Sequence, residues 1–142
     1  MENRFYEISS DDKRALIESI KARLRGRPDI IFAYLHGSFI TGHRFRDIDV
    51  AIYLKTPFSS SLQVELEMEG ELGKMVPRYP IEVRILNNAP LSFRYNVVKQ
   101  GELIVVSDDD LRCDFVEATL TNYFDFAPFR KIYLKEALGS GI

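Results

Sequence analysis

Residues 47–54 read Asp-Ile-Asp-Val-Ala-Ile-Tyr-Leu, and this run constrains the fold more than any other. Successive side chains of a strand point to opposite faces. Ile48, Val50 and Ile52 therefore share a face suited to packing under helices, and Asp47 and Asp49 share the other. Residues 81–86 repeat the alternation. Ile81, Val83 and Ile85 fall on one face, and Glu82 and Arg84 on the other. If the two strands are neighbours, Glu82 joins the aspartates on an open, acidic face.

The rest of the chain supplies the remaining layers. Ser9, Ser10 and Asp11 offer N-caps, and Ala15, Leu16, Ile20 and Leu24 recur near a 3.6-residue period, which predicts a helix over 9–25. Gly26 and Pro28 end it. Residues 30–36 form a short apolar run between Pro28 and Gly37, and read as a buried strand. Gly37 and Gly42 bracket a turn before the strand at 47–54. Leu62, Leu66, Met68, Leu72 and Met75 mark a helix over about 61–75, weakened by Gly70 and Gly73. The strand at 81–86 is entered through Pro80. Pro90 suits a helix start, and residues 90–100 follow with Gly101 as the stop. Residues 103–106 make a fourth strand. Asp108, Asp109 and Asp110 favour a helix N-terminus, from which a long helical region is expected to reach about Leu138, kinked by Pro128 near Phe126. The order is α-β-β-α-β-α-β-α. It predicts an α/β (α+β) domain with a mixed sheet of about four strands, helices packed on one face, and a long C-terminal helical region.

The 142 residues and 46% hydrophobic content suit one compact domain. The formal net charge of −2 gives no global pull toward nucleic acid or anionic membrane. No apolar run approaches the about 20 residues of a membrane-spanning helix, and the charged opening MENRFYEISSDDKR lacks the pattern of a secretory signal. Cys113, the only cysteine, excludes an intramolecular disulfide and reads as a small buried hydrophobe. A soluble, cytoplasmic protein is expected.

The acidic face carries the chemistry. Carboxylates held together repel one another, a cost offset when they flank a divalent cation, and oxygen ligands on a rigid scaffold suit Mg²⁺. Asp47, Asp49 and Glu82 together could hold metal and position an attacking hydroxyl for in-line phosphoryl transfer. Gly37-Ser38 follows the first strand directly. Glycine permits close backbone approach to a ligand, and the following amides can face phosphate oxygens. Arg44 and Arg46, between this turn and the aspartates, could offset triphosphate charge.

The stretch HGSFITGHRFRDIDVAIYL resembles the signature of the DNA polymerase β-like nucleotidyltransferase superfamily: Gly-Ser, a spacer, Asp-x-Asp, and a third carboxylate on a later strand. The chain's length resembles that of the minimal nucleotidyltransferases, the MntA-like antitoxins encoded beside HEPN-domain toxins. IEVRILNNAPLSFRYNVVKQGELIV and DFVEATLTNYFDFAPFRKIYL are similar to that group's later strands and C-terminal helix. The resemblance implies the nucleotidyltransferase fold and Mg²⁺-dependent transfer of AMP from ATP to a protein hydroxyl, a tyrosine of a HEPN-type toxin. It assigns metal binding and catalysis to Asp47, Asp49 and Glu82 and nucleotide binding to Gly37 and Ser38. Two features depart from the pattern. Only eight residues separate Ser38 from Asp47, fewer than is common, and Glu82 stands where aspartate is usual.

Plainer roles compete at each position. Glu82 could pair with Arg84 or Arg78 on an exposed face. His36, at a strand end, reads as a satisfied structural histidine, and His43 as a loop residue. Tyr123, Phe124, Phe126, Phe129 and Tyr133 on the last helix read as core or as the interface of a homodimer or toxin complex. The chain as a whole could also be a binding module that neutralises a partner by complex formation without catalysis.

Overall fold

A computed structural model describes residues 4–126. Its elements are β1 (Tyr6–Glu7), α1 (Ser10–Arg25), β2 (Ile30–His36), α2 (Ser38–Thr41), β3 (Arg44–Phe45), β4 (Ile48–Leu54), α3 (Ser61–Met75), β5 (Ile81–Ile85), α4 (Leu91–Gln100), β6 (Glu102–Val106) and α5 (Asp109–Phe126). The helix starts have the local chemistry expected of them. Ser9 Oγ accepts from Asp12 N at 3.1 Å, Ser60 Oγ from Gln63 N at 3.0 Å, and Asp108 Oδ1 from Leu111 N at 3.1 Å. Each satisfies an amide that a first turn leaves without an intrahelical partner.

Four strands form a mixed sheet in the order β5-β4-β2-β6. β2 is antiparallel to β4 and β6, and β4 is parallel to β5. A parallel neighbour requires a crossover, and α3 is that crossover. It also seals the outer edge of β5, where Glu69 Oε2 accepts from Val83 N at 2.9 Å and Glu65 Oε2 from Ile85 N at 3.0 Å.

The apolar side chains of β4 turn toward α1 and α3. Ile48, Val50, Ile52 and Leu54 pack there with Ala33 and Leu35 of β2, Ile20 and Leu24 of α1, and Val64, Met68 and Leu72 of α3. Burying each of the larger side chains contributes about 1.5–3 kcal/mol. The expectation of helices on one face holds for these two helices only. Phe32, Tyr34 and Ala51 face the opposite side and pack with Val97 of α4 and Phe115 of α5. Phe32 stacks on Tyr53 at 5.0 Å and meets Phe115 at 5.2 Å. Aromatic rings of this size cannot stay in water without forfeiting their burial energy, so α4 and α5 form a second layer. That layer leaves half-buried Asp49 and exposed Glu82 accessible on the same face.

Three other expectations change. On α3 the inward stripe is Val64, Met68 and Leu72, and Leu62 and Leu66 are exposed. Cys113 is exposed rather than buried, because Phe115 and Thr119 take the inward positions of α5. A two-stranded ribbon, β1 paired antiparallel with β3 (Tyr6 opposite Phe45), was not foreseen. Tyr6, Phe39, Phe45 and Tyr79 form an aromatic cluster beneath it, with centroid separations of 4.9–5.8 Å. Tyr123 stacks on Tyr95 of α4 at 3.7 Å, and Phe124 is exposed. The Phe126 side chain, Pro128, Phe129, Tyr133 and any helix reaching Leu138 lie outside the described residues.

Candidate active site

The parallel register of β4 and β5 sets Asp49 directly beside Glu82. Asp47, one residue ahead of β4, completes the group, and one carboxylate oxygen from each of the three lies within 4.8 Å of the others. Alternation alone places these side chains on the open face, and pairing of β4 with β5 converts a shared face into proximity.

The electrostatic cost is visible at Asp49, whose pKa is pushed up to about 7. Burial is the largest cause, followed by the negative charge of Asp47, a hydrogen bond with Asp47 and the charge of Glu82, with Arg84 acting in the opposite sense. Three hard oxygen donors that resist joint ionisation suit a hard divalent cation, which would favour their charged forms.

The turn after β2 abuts this group. Gly37 has φ 78°, a left-handed region that side chains other than glycine rarely enter. A Cβ there would also collide with Asp49 Oδ2. Gly37 thus lets backbone and carboxylate approach more closely than any other residue could. It precedes α2 (Ser38–Thr41), in which only Ser38 N and Phe39 N come too early for an intrahelical acceptor. Gly37 O accepts from Ile40 N at 3.0 Å and Thr41 N at 3.1 Å, which fixes the turn.

Arg44 and Arg46 are exposed and stack over Phe5, at 4.8 and 5.2 Å from the ring centroid. The structure thus holds them on the outer side of the β1–β3 ribbon, next in sequence to Asp47. Glu82 takes both of the places considered for it. It belongs to the acidic group and also pairs with Arg84 at 3.6 Å, whereas Arg78 lies over Tyr79. His43 is an exposed loop residue.

His36 departs from expectation. It pairs in register with Asp49, and its Nε2 is buried without a hydrogen-bond partner among the described residues. Its pKa is lowered, chiefly by burial and then by the charge of Arg84, against the pull of Asp47. Its ring meets Phe93 edge-on at 5.3 Å, and the Arg84 guanidinium lies 4.9 Å from the same ring centroid. Phe93 carried no signal in the sequence, because only tertiary packing of α4 brings it between β2 and β5. The position of Arg84 was legible in its alternation with Glu82.

A mixed four-stranded sheet with a Gly-Ser turn and three clustered carboxylates defines a nucleotidyltransferase-type scaffold. Residues 18–110 match the polymerase beta nucleotidyltransferase family, and the chain belongs to that family. No curated protein matches it. Among solved structures, it is similar to a chain from the complex of tri-AMPylated Shewanella oneidensis HEPN toxin with MNT antitoxin. The TM-score is 0.66 at 20% identity, over 89% of this chain and 98% of that one. A structure of the toxin–antitoxin MntA–HepT gives a TM-score of 0.64 at 19% identity, over 88% and 98% of the two chains. A toxin–antitoxin structure with AMP-PNP gives 0.62 at 19% identity, over 92% and 99%. At these identities the likeness establishes the fold.

Proposed function

We propose that this protein transfers AMP from ATP to a tyrosine hydroxyl of a HEPN-type toxin and thereby acts as its antitoxin in the cytoplasm. The observation that carries the reading is the convergence of Asp47, Asp49 and Glu82 against the Gly37 turn. Similarity to chains solved with HEPN toxins, one of them tri-AMPylated, and with AMP-PNP supports the choice of partner and nucleotide.

Asp47, Asp49 and Glu82 would hold Mg²⁺, which when bound supplies positive charge to offset the triphosphate. Gly37 and Ser38 hold the β- and γ-phosphates through backbone amides and the Ser38 hydroxyl, and Arg44 and Arg46 add charge from the neighbouring ribbon. The acceptor oxygen attacks the α-phosphorus. A new O–P bond forms as the bond to the β-phosphate bridging oxygen breaks, and pyrophosphate leaves with that electron pair. The acceptor proton passes through Glu82 to water.

The test uses ATP labelled at the α-phosphate, Mg²⁺ and a HEPN-type toxin, with Asp47→Asn and Asp49→Asn as controls. Label on a toxin tyrosine that both variants lose is the expected result. A tight complex without any transfer would establish the alternative, a binding module that neutralises its partner by association.

A further inference from the structure

Three groups beside the acidic cluster are not used by the AMP-transfer reading above: Arg84, Phe93 and His36. Arg84 occupies the same face of β5 as Glu82, opposite Ala51 of β4. Its side chain is 45% exposed and its pairing with Glu82 is 3.6 Å long. Such a half-exposed pair adds at most about 1 kcal/mol of stability. A cation at this position also opposes binding of another cation by the carboxylates. A structural role is thus a poor account of why a guanidinium stands there. Phe93 holds it in place, with the guanidinium against its ring at 4.9 Å and His36 against its edge at 5.3 Å.

The sheet order assigns a direction. Gly37-Ser38 leaves β2, on one side of β4, and Glu82 and Arg84 stand on β5, on the other. In an in-line displacement the attacking and leaving oxygens lie on opposite sides of phosphorus. With pyrophosphate leaving toward the β2 side, the acceptor must approach from β5.

We propose that Arg84, seated on Phe93, contacts the acceptor oxygen and stabilises the negative charge it develops, so that the β5 side of the cleft selects phenolic hydroxyls. This rests on the AMP-transfer reading above. A phenol, with a pKa near about 10, is the more acidic of the tyrosine and serine-type hydroxyls, so its oxygen gains most readily from an adjacent fixed cation as it attacks. The Phe93 ring adds an aromatic wall for the acceptor's own ring. In the step, the phenol proton passes to water, the oxygen bonds to the α-phosphorus, and pyrophosphate departs with the electrons of the broken bond. Arg84 keeps its protons throughout.

The experiment measures affinity for a fluorescent ATP analogue with Mg²⁺, and label transfer from ATP to a HEPN-type toxin, for wild type, Arg84→Ala, Arg84→Lys and Phe93→Leu. For Arg84→Ala, transfer should fall ~100-fold or more, the scale of losing one charge-stabilising donor. Nucleotide affinity should change by less than ~3-fold, as for a group that acts only in the transition state. Arg84→Lys should keep part of the rate, and added guanidinium should restore part of it to Arg84→Ala, which a packing role would not allow. Phe93→Leu should lower the rate less than Arg84→Ala. Equal losses of transfer and nucleotide affinity would reassign Arg84 to the triphosphate. Unchanged transfer, or a loss that neither lysine nor guanidinium relieves, would overturn the proposal while leaving AMP transfer itself intact. A wild-type protein that transfers no label overturns the AMP-transfer reading and this proposal with it.

Discussion

Gly37 concentrates two constraints in one residue, since its φ of 78° disfavours any side chain and its missing Cβ leaves room for Asp49. A Gly37→Ala variant must either displace Asp49 or move the turn. Both changes alter the geometry between the phosphate-facing amides and the carboxylates, and a displacement of about 1 Å is enough to cost ~100-fold in rate. The variant should show at least that loss of transfer and a lower melting temperature. Melting and transfer assays on the same preparation check both. A variant with normal transfer would show that the close approach of Gly37 to Asp49 is dispensable. A glycine in a turn was legible in the sequence, but the carboxylate against it was not. That contact depends on β2 pairing with β4 so that His36 lies opposite Asp49. The same register explains why His36 was misread. A lone histidine at a strand end has no stated neighbour until the adjacent strand is in place.

Among the elements, α3 does two jobs that its amphipathic pattern only partly announces. Its inward stripe covers the sheet, and its Glu65 and Glu69 carboxylates satisfy the outer amides of β5. Glu69→Ala removes the partner of Val83 N, which neighbours Glu82 in the chain. A hydrogen bond to a charged group contributes about 1.5–3 kcal/mol, so urea unfolding should show a loss in that range. Transfer should fall as well, because β5 positions Glu82 and Arg84. Gly70 and Gly73 of the same helix have open space where a Cβ would go. Gly70→Ala and Gly73→Ala should therefore each stabilise the protein, by up to about 1 kcal/mol, and leave transfer unchanged. Urea unfolding that showed a loss for either would overturn the expectation that helix propensity decides these two positions. The long elements were legible because hydrophobic period and capping residues agree in them, as in α1 and β2. The β1–β3 ribbon was not. Two-residue strands show no period, and Tyr6 and Phe45 become partners only through pairing across nearly forty positions of chain.

At the scale of the whole molecule, the site is a repulsive cluster placed where β4, β5 and the β2 turn meet, so its charge state is linked to global stability. Alternation revealed which side chains share the acidic face, but not that burial and crowding make Asp49 the group that resists ionisation. That depends on α4 and α5 covering the adjoining part of the face, a layer missing from the sequence reading. The linkage has a definite sign. The folded-state pKa of Asp49, about 7, lies above the 3.8 of a free aspartate, so the folded protein holds this proton more tightly than the unfolded chain does. The contribution to stability is fully present below about pH 3.8 and is lost as pH rises through about 7. Metal-free protein should therefore melt at a lower temperature at pH 8 than at pH 5.5 on account of this group. A divalent cation bound by Asp47, Asp49 and Glu82 favours the ionised form, so Mg²⁺ should raise the melting temperature more at pH 8 than at pH 5.5 and release protons on binding near neutral pH. In Asp49→Asn the carboxylate is gone, and both this pH dependence and most of the Mg²⁺ response should disappear. Scanning calorimetry of the two proteins at both pH values, with and without Mg²⁺, measures the melting temperatures, and Mg²⁺ titration calorimetry in buffers of different ionisation enthalpy measures the proton release. A Mg²⁺ response that is equal at the two pH values in wild type, or that persists in Asp49→Asn, would place the cation somewhere other than at Asp47, Asp49 and Glu82.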